Sequence, residues 1–374
     1  TGGKRLSEYL HAANVRVGTF EFGGYRWSDV RGILQATQAG WRVDVSGAGA
    51  AGQVIIPESF SGVQPLRATL DRLVLEKTDP SDAQTGDERD PREIPNLEVY
   101  VADLRLGQKT IGAVDLKATR VAQGIRFERA TIIGASVRAE GRGEWLITPE
   151  GPRSSLQATV TSSDLAATLR DLNYTAFIEG KLGELRGDLT WRGGFEGNIL
   201  ERANGTISVR AEAGQLVALQ PGAGRVLGLF SLAALPRRLA LDFSDLTEKG
   251  LAFDTVHGDF ELRDGNAYTR NVLLRGPAAE IGIAGRTGLA SRDYDQTAVV
   301  TGNLGASLPV AGVLAGGPAV GAALLLFSQV FKEPLKGMTR GYYRITGPWD
   351  DPVVERVDAA AVKVSEQKGA TGTQ

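Results

Sequence analysis

The side chains best suited to chemistry are few and far apart. His11 and His257 are the only histidines, and neither has a second ligand at a spacing such as H-x-x-x-H. His257 alternates with strand residues and is expected beside a turn. With no cysteine, thiolate metal sites, disulfides and cysteine nucleophiles are excluded, while the redox compartment stays open. Carboxylates are plentiful but fall at outward strand positions or in turns; Asp350-Asp351 before Pro352 reads as turn chemistry. A glycosidase-like pair is defined by its separation in space, and no spacing here points to one. Gly47-Ala48-Gly49-Ala50-Ala51-Gly52 matches G-x-G-x-x-G, but Gln53-Val54-Ile55-Ile56-Pro57 follows where a dinucleotide site needs a helix. These glycines are therefore expected in a hairpin. Asn173-Tyr174-Thr175 and Asn204-Gly205-Thr206 match glycosylation sequons, a weak pattern without context. The expectation is a protein that is not an enzyme, with no cofactor and no metal. A net charge of −2 gives no basic domain for nucleic acid.

The elements around these residues are mostly strands. Val15, Val17 and Phe20, Phe22 alternate, as do Trp41, Val43, Val45, with Arg42 and Asp44 between them. Val114 and Leu116 alternate with Asp115 and Lys117; Ile125 and Phe127 alternate with Arg126 and Glu128. Leu239, Leu241, Phe243 and later Phe260, Leu262 continue the pattern. Period two puts one apolar row on one face of a sheet. Gly, Asn and Asp punctuate the runs, most clearly at Asp264-Gly265-Asn266. About half the chain reads as strand, against a usual 20–25%. Some 18–20 strands at about 4.8 Å each would extend roughly 90 Å before twist.

A repeat underlies the pattern. Shifted by 84 positions, residues 15–43 overlay without a gap. Val15 falls on Val99, Val17 on Val101, Val30 on Val114, Gly40 on Gly124 and Arg42 on Arg126. One multi-hairpin unit is thus expected twice.

Several stretches break the strand pattern. Residues 76–95 are polar and Pro-bearing and read as an exposed loop. Ser163 to Tyr174 reads as a helix capped by Ser163 or Asp164, with Leu165, Leu169 and Leu172 on one face. Pro221 to Leu235 reads as a second helix. Gln296 to Phe331 holds no charged residue, and Val310 to Phe331 is long enough to span a bilayer. Gly312, Gly316, Gly317, Pro318 and Gly321 argue against a single spanning helix. Two readings stand: a helical pair, broken near Gly317-Pro318, that packs on a groove or dips into a membrane surface beside Lys332, Lys336, Arg340 and Arg344; or a buried helix with a solvated basic flank. The organisation expected is strand units over 1–160, strands with two short helices over 161–300, an apolar helical segment over 301–340, a final strand and turn over 341–358, and a disordered tail over 359–374. The chain opens at Thr1 rather than Met, which reads as a processed form or a fragment.

Certain residues carry a family likeness. Leu235-Pro236-Arg237-Arg238-Leu239, Leu241-Asp242-Phe243-Ser244-Asp245 and Lys249-Gly250-Leu251-Ala252-Phe253-Asp254 resemble the C-terminal region of the YhdP / AsmA-like family. So do Gly258-Asp259-Phe260, Asp264-Gly265-Asn266-Ala267, Leu274-Arg275-Gly276-Pro277 and Gly347-Pro348-Trp349-Asp350-Asp351-Pro352. The resemblance implies an elongated, curved antiparallel sheet forming a U-shaped apolar groove, with few helices. It implies phospholipid as the partner, moved across the periplasm from inner to outer membrane, and an N-terminal inner-membrane anchor that this chain lacks. No catalytic residue carries over. Lipid tails would then lie on Val114, Leu116, Ile125, Phe127, Leu239, Leu241, Phe243, Phe253, Phe260 and Leu262. Leu314, Leu324, Leu325, Leu326 and Phe327 would meet the inner leaflet of the outer membrane. The competing reading is a structural or assembly factor for outer-membrane biogenesis that carries no lipid.

Overall fold

Alternating apolar and polar residues, broken by turn formers, leave the backbone few choices besides paired strands. The computed structural model describes residues 11–22, 25–38, 40–60, 62–77, 90–171, 176, 178–217, 251–302 and 339–357. Eighteen strands occur among them, and they make up about half the chain. By contact the chain divides into two units: Thr1–Val160 with Arg192–Glu196, and Thr161–Trp191 with Gly197–Gln374.

The first unit holds β1 (Ala12–Phe22), β2 (Tyr25–Thr37), β3 (Gly40–Gly47), β4 (Ala50–Pro57), β5 (Leu66–Lys77), β6 (Leu97–Leu106), β7 (Lys109–Val121), β8 (Gly124–Ile133), β9 (Val137–Thr148) and most of β10 (Gly151–Ser162). Each strand pairs antiparallel with the next from β1 to β5 and from β6 to β9. The Gly-rich motif is the β3–β4 hairpin, as its β-branched sequel required. The purely antiparallel expectation needs one correction, because β5 and β6 run parallel, Leu66 beside Leu97 and Leu75 beside Leu106. Parallel neighbours need a crossover rather than a hairpin; its described part is residues 90–96, just before β6. Of the expected loop at 76–95, Glu76 and Lys77 belong to β5 and pair with Arg26 and Tyr25 of β2, while 78–89 lie outside the described residues.

The repeat is carried in the pairing itself. Val15 faces Gly32 and Val17 faces Val30; 84 positions on, Val99 faces Leu116 and Val101 faces Val114. Leu34 faces Val43 as Ala118 faces Phe127. The two copies part company at the fourth strand, where Gly40 meets Pro57 but Gly124 meets Leu146.

The second unit holds α1 (Leu165–Asp171), β11 (Ile178–Arg192), a 3-10 turn (Ile199–Glu201), β12 (Asn204–Leu216), β13 (Leu251–Arg263), β14 (Asn266–Arg275), β15 (Ala279–Gly288), β16 (Asp293–Gly302), β17 (Thr339–Pro348) and β18 (Val353–Val357). β11 to β18 pair antiparallel in chain order. The expected helix is present over Leu165–Asp171, with Leu172 to Tyr174 outside the described residues; the Asp164 carboxylate accepts from the Ala167 N–H at 2.9 Å, which fixes the cap on Asp164. The single final strand expected over 341–358 is a hairpin of two, turning at Trp349 to Asp351. Asp264 (φ +50) and Gly265 (φ +72) close the β13–β14 hairpin, as the turn signal predicted. His257 is not beside a turn. It lies within β13, next to the irregularity between His257 and Phe260.

The core of the second unit is dense. Phe260, Leu262, Leu274, Ile281, Ile283, Tyr294 and Ile345 are each at most 2% exposed. On β16 every residue from Gln296 to Gly302 is buried. Burial of both faces removes the alternation, which explains why the charge-free run already begins inside a strand. Gln296 and Thr287 share the core by hydrogen bonding, Gln296 Nε2 donating to Thr287 Oγ1 at 2.7 Å. The proposed helix at 221–235, most of the apolar segment at 301–340 and the tail lie outside the described residues.

Candidate functional site

The site that the sequence points to is a sheet face, and register shows which residues share it. Across β5 to β9 one face carries Leu66, Ala68 and Leu70; Leu97, Val99 and Val101; Val114, Leu116 and Ala118; Phe127 with Ile125; and Trp145. In β1 to β4 the corresponding positions are Val15 and Val17, Val30 and Leu34, Trp41 and Val43, and Val54 with Ile56. Past Ala118 the same row continues to Arg120, which pairs with Ile125.

The reverse face is ionic. Arg67 pairs with Glu98 at 2.7 Å, Arg129 with Asp115 at 2.9 Å, Lys117 with Glu128 at 3.1 Å and Arg126 with Glu144 at 2.6 Å. The Thr119 hydroxyl and then Lys117 hold the Glu128 carboxyl below its ordinary range. Exposed pairs of this kind contribute little stability each. Their effect is to keep this face in water and thereby fix which face is left apolar.

Burial along the apolar face is uneven. Val30, Leu34, Trp41, Val43, Val54, Val99, Val114, Leu116 and Phe127 are only half-buried, and Val15 is exposed. Two patches are closed. One is Ala68, Leu70 and Val101, flanked by Val54, Leu73, Leu104 and Val114. The other is Ala118, Ile125 and Trp145, covered by Ile94, Leu97, Phe127 and Phe195. The second lies at the strand ends, where the β7–β8 turn, the crossover before β6 and residues 192–196 meet. Phe195 stands edge-on to Phe127 with centroids 5.4 Å apart, and edge-on to Trp145 at 6.5 Å. Asn96 clasps the same rim: its Nδ2 donates to Val63 O at 2.9 Å and its Oδ1 accepts from Arg120 N at 2.7 Å.

Of the expected lipid-facing residues, Val114, Leu116 and Phe127 are thus half-buried on the first unit's apolar face, and Ile125 is fully buried in its rim. In the second unit, Phe260 and Leu262 are closed in the core. Phe253 is 3% exposed beneath α1, beside Gly180 and Gly214. There the alternation slips: Ala213 takes φ +48, and on β13 the buried residues change parity, so that Phe253 and Val256, three apart, are both buried. A Cβ at Gly180 or Gly183 would collide with Leu165, so these glycines let α1 lie on β11. Leu239, Leu241, Phe243, Leu314, Leu324, Leu325, Leu326 and Phe327 lie outside the described residues. Sequence reading did not single out Trp145, Phe195, Ile94 or Asn96. Trp145 continues the β9 alternation beside Glu144, but Phe195 sits alone in a Gly-Gly-Phe-Glu-Gly loop with no period to announce it.

Among the described residues no three His, Asp or Glu side chains gather as a metal site, and no helix is long and apolar enough to cross a membrane. A family model described as YhdP protein matches residues 4–354. The chain belongs to the YhdP family. Intermembrane phospholipid transporter YhdP of Escherichia coli (strain K12) is 25% identical over 356 residues, 92% of this chain. The chain spans 28% of that relative's length. No solved structure matches.

Proposed function

We propose that this chain carries phospholipid between the two membranes of a bacterial envelope, with acyl tails lying on the apolar face of its first unit. The observation that supports this reading is the half-buried state of that face, backed by membership of a family with a phospholipid transporter. A monomeric sheet ordinarily buries such a row. Here Val43, Val54, Val99, Val114, Leu116 and Phe127 keep apolar surface that a lipid tail would cover, at about 0.8 kcal/mol per buried CH₂. Headgroups stay in water at the margin, so no charge is desolvated.

The face acts as the floor of a groove. It offers no tail a preferred seat along Val99, Val114 and Leu116, so lipids slide along it; direction, from inner to outer membrane, is imposed from outside this chain. Ile125, Phe253, Phe260 and Leu262 shape and stiffen the sheet. The apolar segment with Leu314 and Leu324 to Phe327 meets the inner leaflet of the outer membrane. The working place is the periplasm. Native mass spectrometry of the purified chain tests the central point: co-purified phospholipid is expected, and a lipid-free protein that takes up none from vesicles overturns the reading.

A further inference from the structure

The closed rim of the first unit contains one polar atom that an apolar seal does not need. Trp145 is 8% exposed, and its indole N–H is buried without an acceptor. Buried tryptophan N–H groups ordinarily find a partner, and leaving one unmet is costly. Its apolar neighbours are Ala118, Ile125, Ile94, Leu97, Phe127 and Phe195; the Glu196 carboxylate stands on the same edge of the ring, its Oε2 where a Cβ at Gly194 would collide with it, yet accepts no hydrogen bond from the indole. The N–H edge is covered by a short backbone strap. A Cβ at Gly194 would stand 2.8 Å from Trp145 Cζ2 and 3.1 Å from Cε2, the carbon bonded to Nε1. Glycine at 194 is what lets the strap lie flat on that edge, and Phe195 pins it to Phe127.

We propose that the Trp145 N–H is the hydrogen-bond donor for the acyl-ester carbonyl of a phospholipid on this face, and that residues 193–196 are displaced when the lipid enters. This rests on the phospholipid reading above. The chemistry selects the ester. A phosphate would bring a charge among six apolar side chains, where it would lose its water, and next to the Glu196 carboxylate, which would repel it. A carbonyl is neutral, accepts one N–H, and sits where the tails end, as the donor sits where the apolar face ends. The strap then has two states. Closed, Phe195 seals the rim and leaves the N–H unmet; open, lipid covers the same ring and satisfies it.

The test labels the indole nitrogens with ¹⁵N; the chain has five tryptophans, and Trp145→Phe identifies the resonance. Vesicles of diacyl phosphatidylethanolamine are compared with its dialkyl ether analogue, which keeps the phosphate and lacks the carbonyls. Native mass spectrometry counts bound lipid in parallel. The Trp145 N–H resonance is expected to move downfield with the diacyl lipid and not with the ether lipid. Trp145→Phe should lower diacyl occupancy roughly tenfold, the worth of one good hydrogen bond, and leave ether occupancy unchanged. Bound lipid with an unmoved resonance overturns the proposal, and equal shifts with both lipids overturn the ester assignment. If neither lipid binds, the phospholipid reading itself fails and this proposal with it.

Discussion

Gly40 and Gly124 stand 84 positions apart and do the same job. Each opens the third strand of its copy of the repeat, with φ +129 and +156. A Cβ at Gly40 would strike the Ile56 carbonyl oxygen, and one at Gly124 the Trp145 carbonyl oxygen. In both copies a neighbouring backbone approaches so closely that only hydrogen fits. Gly40→Val and Gly124→Val should therefore each destabilise the first unit by about 2–4 kcal/mol, through backbone displacement rather than lost packing. Urea unfolding followed by tryptophan fluorescence measures this, and a midpoint equal to wild type refutes it.

The apolar face separates binding from folding. Leu116→Glu and Val114→Asp place a charge on half-buried positions, so the chain should still fold yet lose most co-purified lipid, about tenfold or more, because a desolvated carboxylate opposes tail contact. Lys117→Glu, on the reverse face, is the control and should keep its lipid. Equal lipid loss in all three would mean that the face has no special role.

The second unit should answer differently. Phe260 is 2% exposed, and Phe260→Ala leaves a cavity expected to cost about 3–5 kcal/mol. Circular dichroism melting reads the loss. A change near zero would show that Phe260 is not packed in the folded protein.

Acid should weaken the hairpin between β15 and β16. Arg286 Nη2 lies 2.5 Å from Asp293 Oδ2, and this contact, with the Ser291 hydroxyl, holds the Asp293 carboxyl below its ordinary range against a modest burial penalty. A carboxyl with a lowered folded pKa adds stability above its unfolded value, about 3.9, and loses it as pH falls through the folded one. Asp293→Asn should flatten that part of the acid-unfolding curve, and Arg286→Gln should move the loss to higher pH. Unchanged curves for both variants would remove the pair from the stability account.

Much of this architecture is legible in residue order. Period two at Val114, Leu116 and Val99, Val101 fixes which side chains share a face, and Asp264-Gly265 fixes a turn. The shift of 84 reports pairing register because Val17 facing Val30 and Val101 facing Val114 is one geometry written twice. What alternation does not encode is strand direction, so the parallel β5–β6 pair stayed hidden. Nor does it survive the slip near Ala213, where the buried residues of β13 change parity between Phe253 and Val256. Phe195 was invisible because a loop side chain acquires its partners, Phe127 and Trp145, only through the fold.

The parallel junction between β5 and β6 has a consequence for how such a protein changes size. Five strands of alternating direction bring the chain to the far margin running the way it started, so β6 begins as β1 did. The first three strands of the second copy are thus a translated duplicate, with their apolar side already aligned. Inserting another five-strand block would widen the sheet by about 24 Å at a strand spacing of about 4.8 Å, and no existing turn would need rewriting. Gene duplication alone could therefore lengthen such a sheet in whole steps that keep its apolar side continuous.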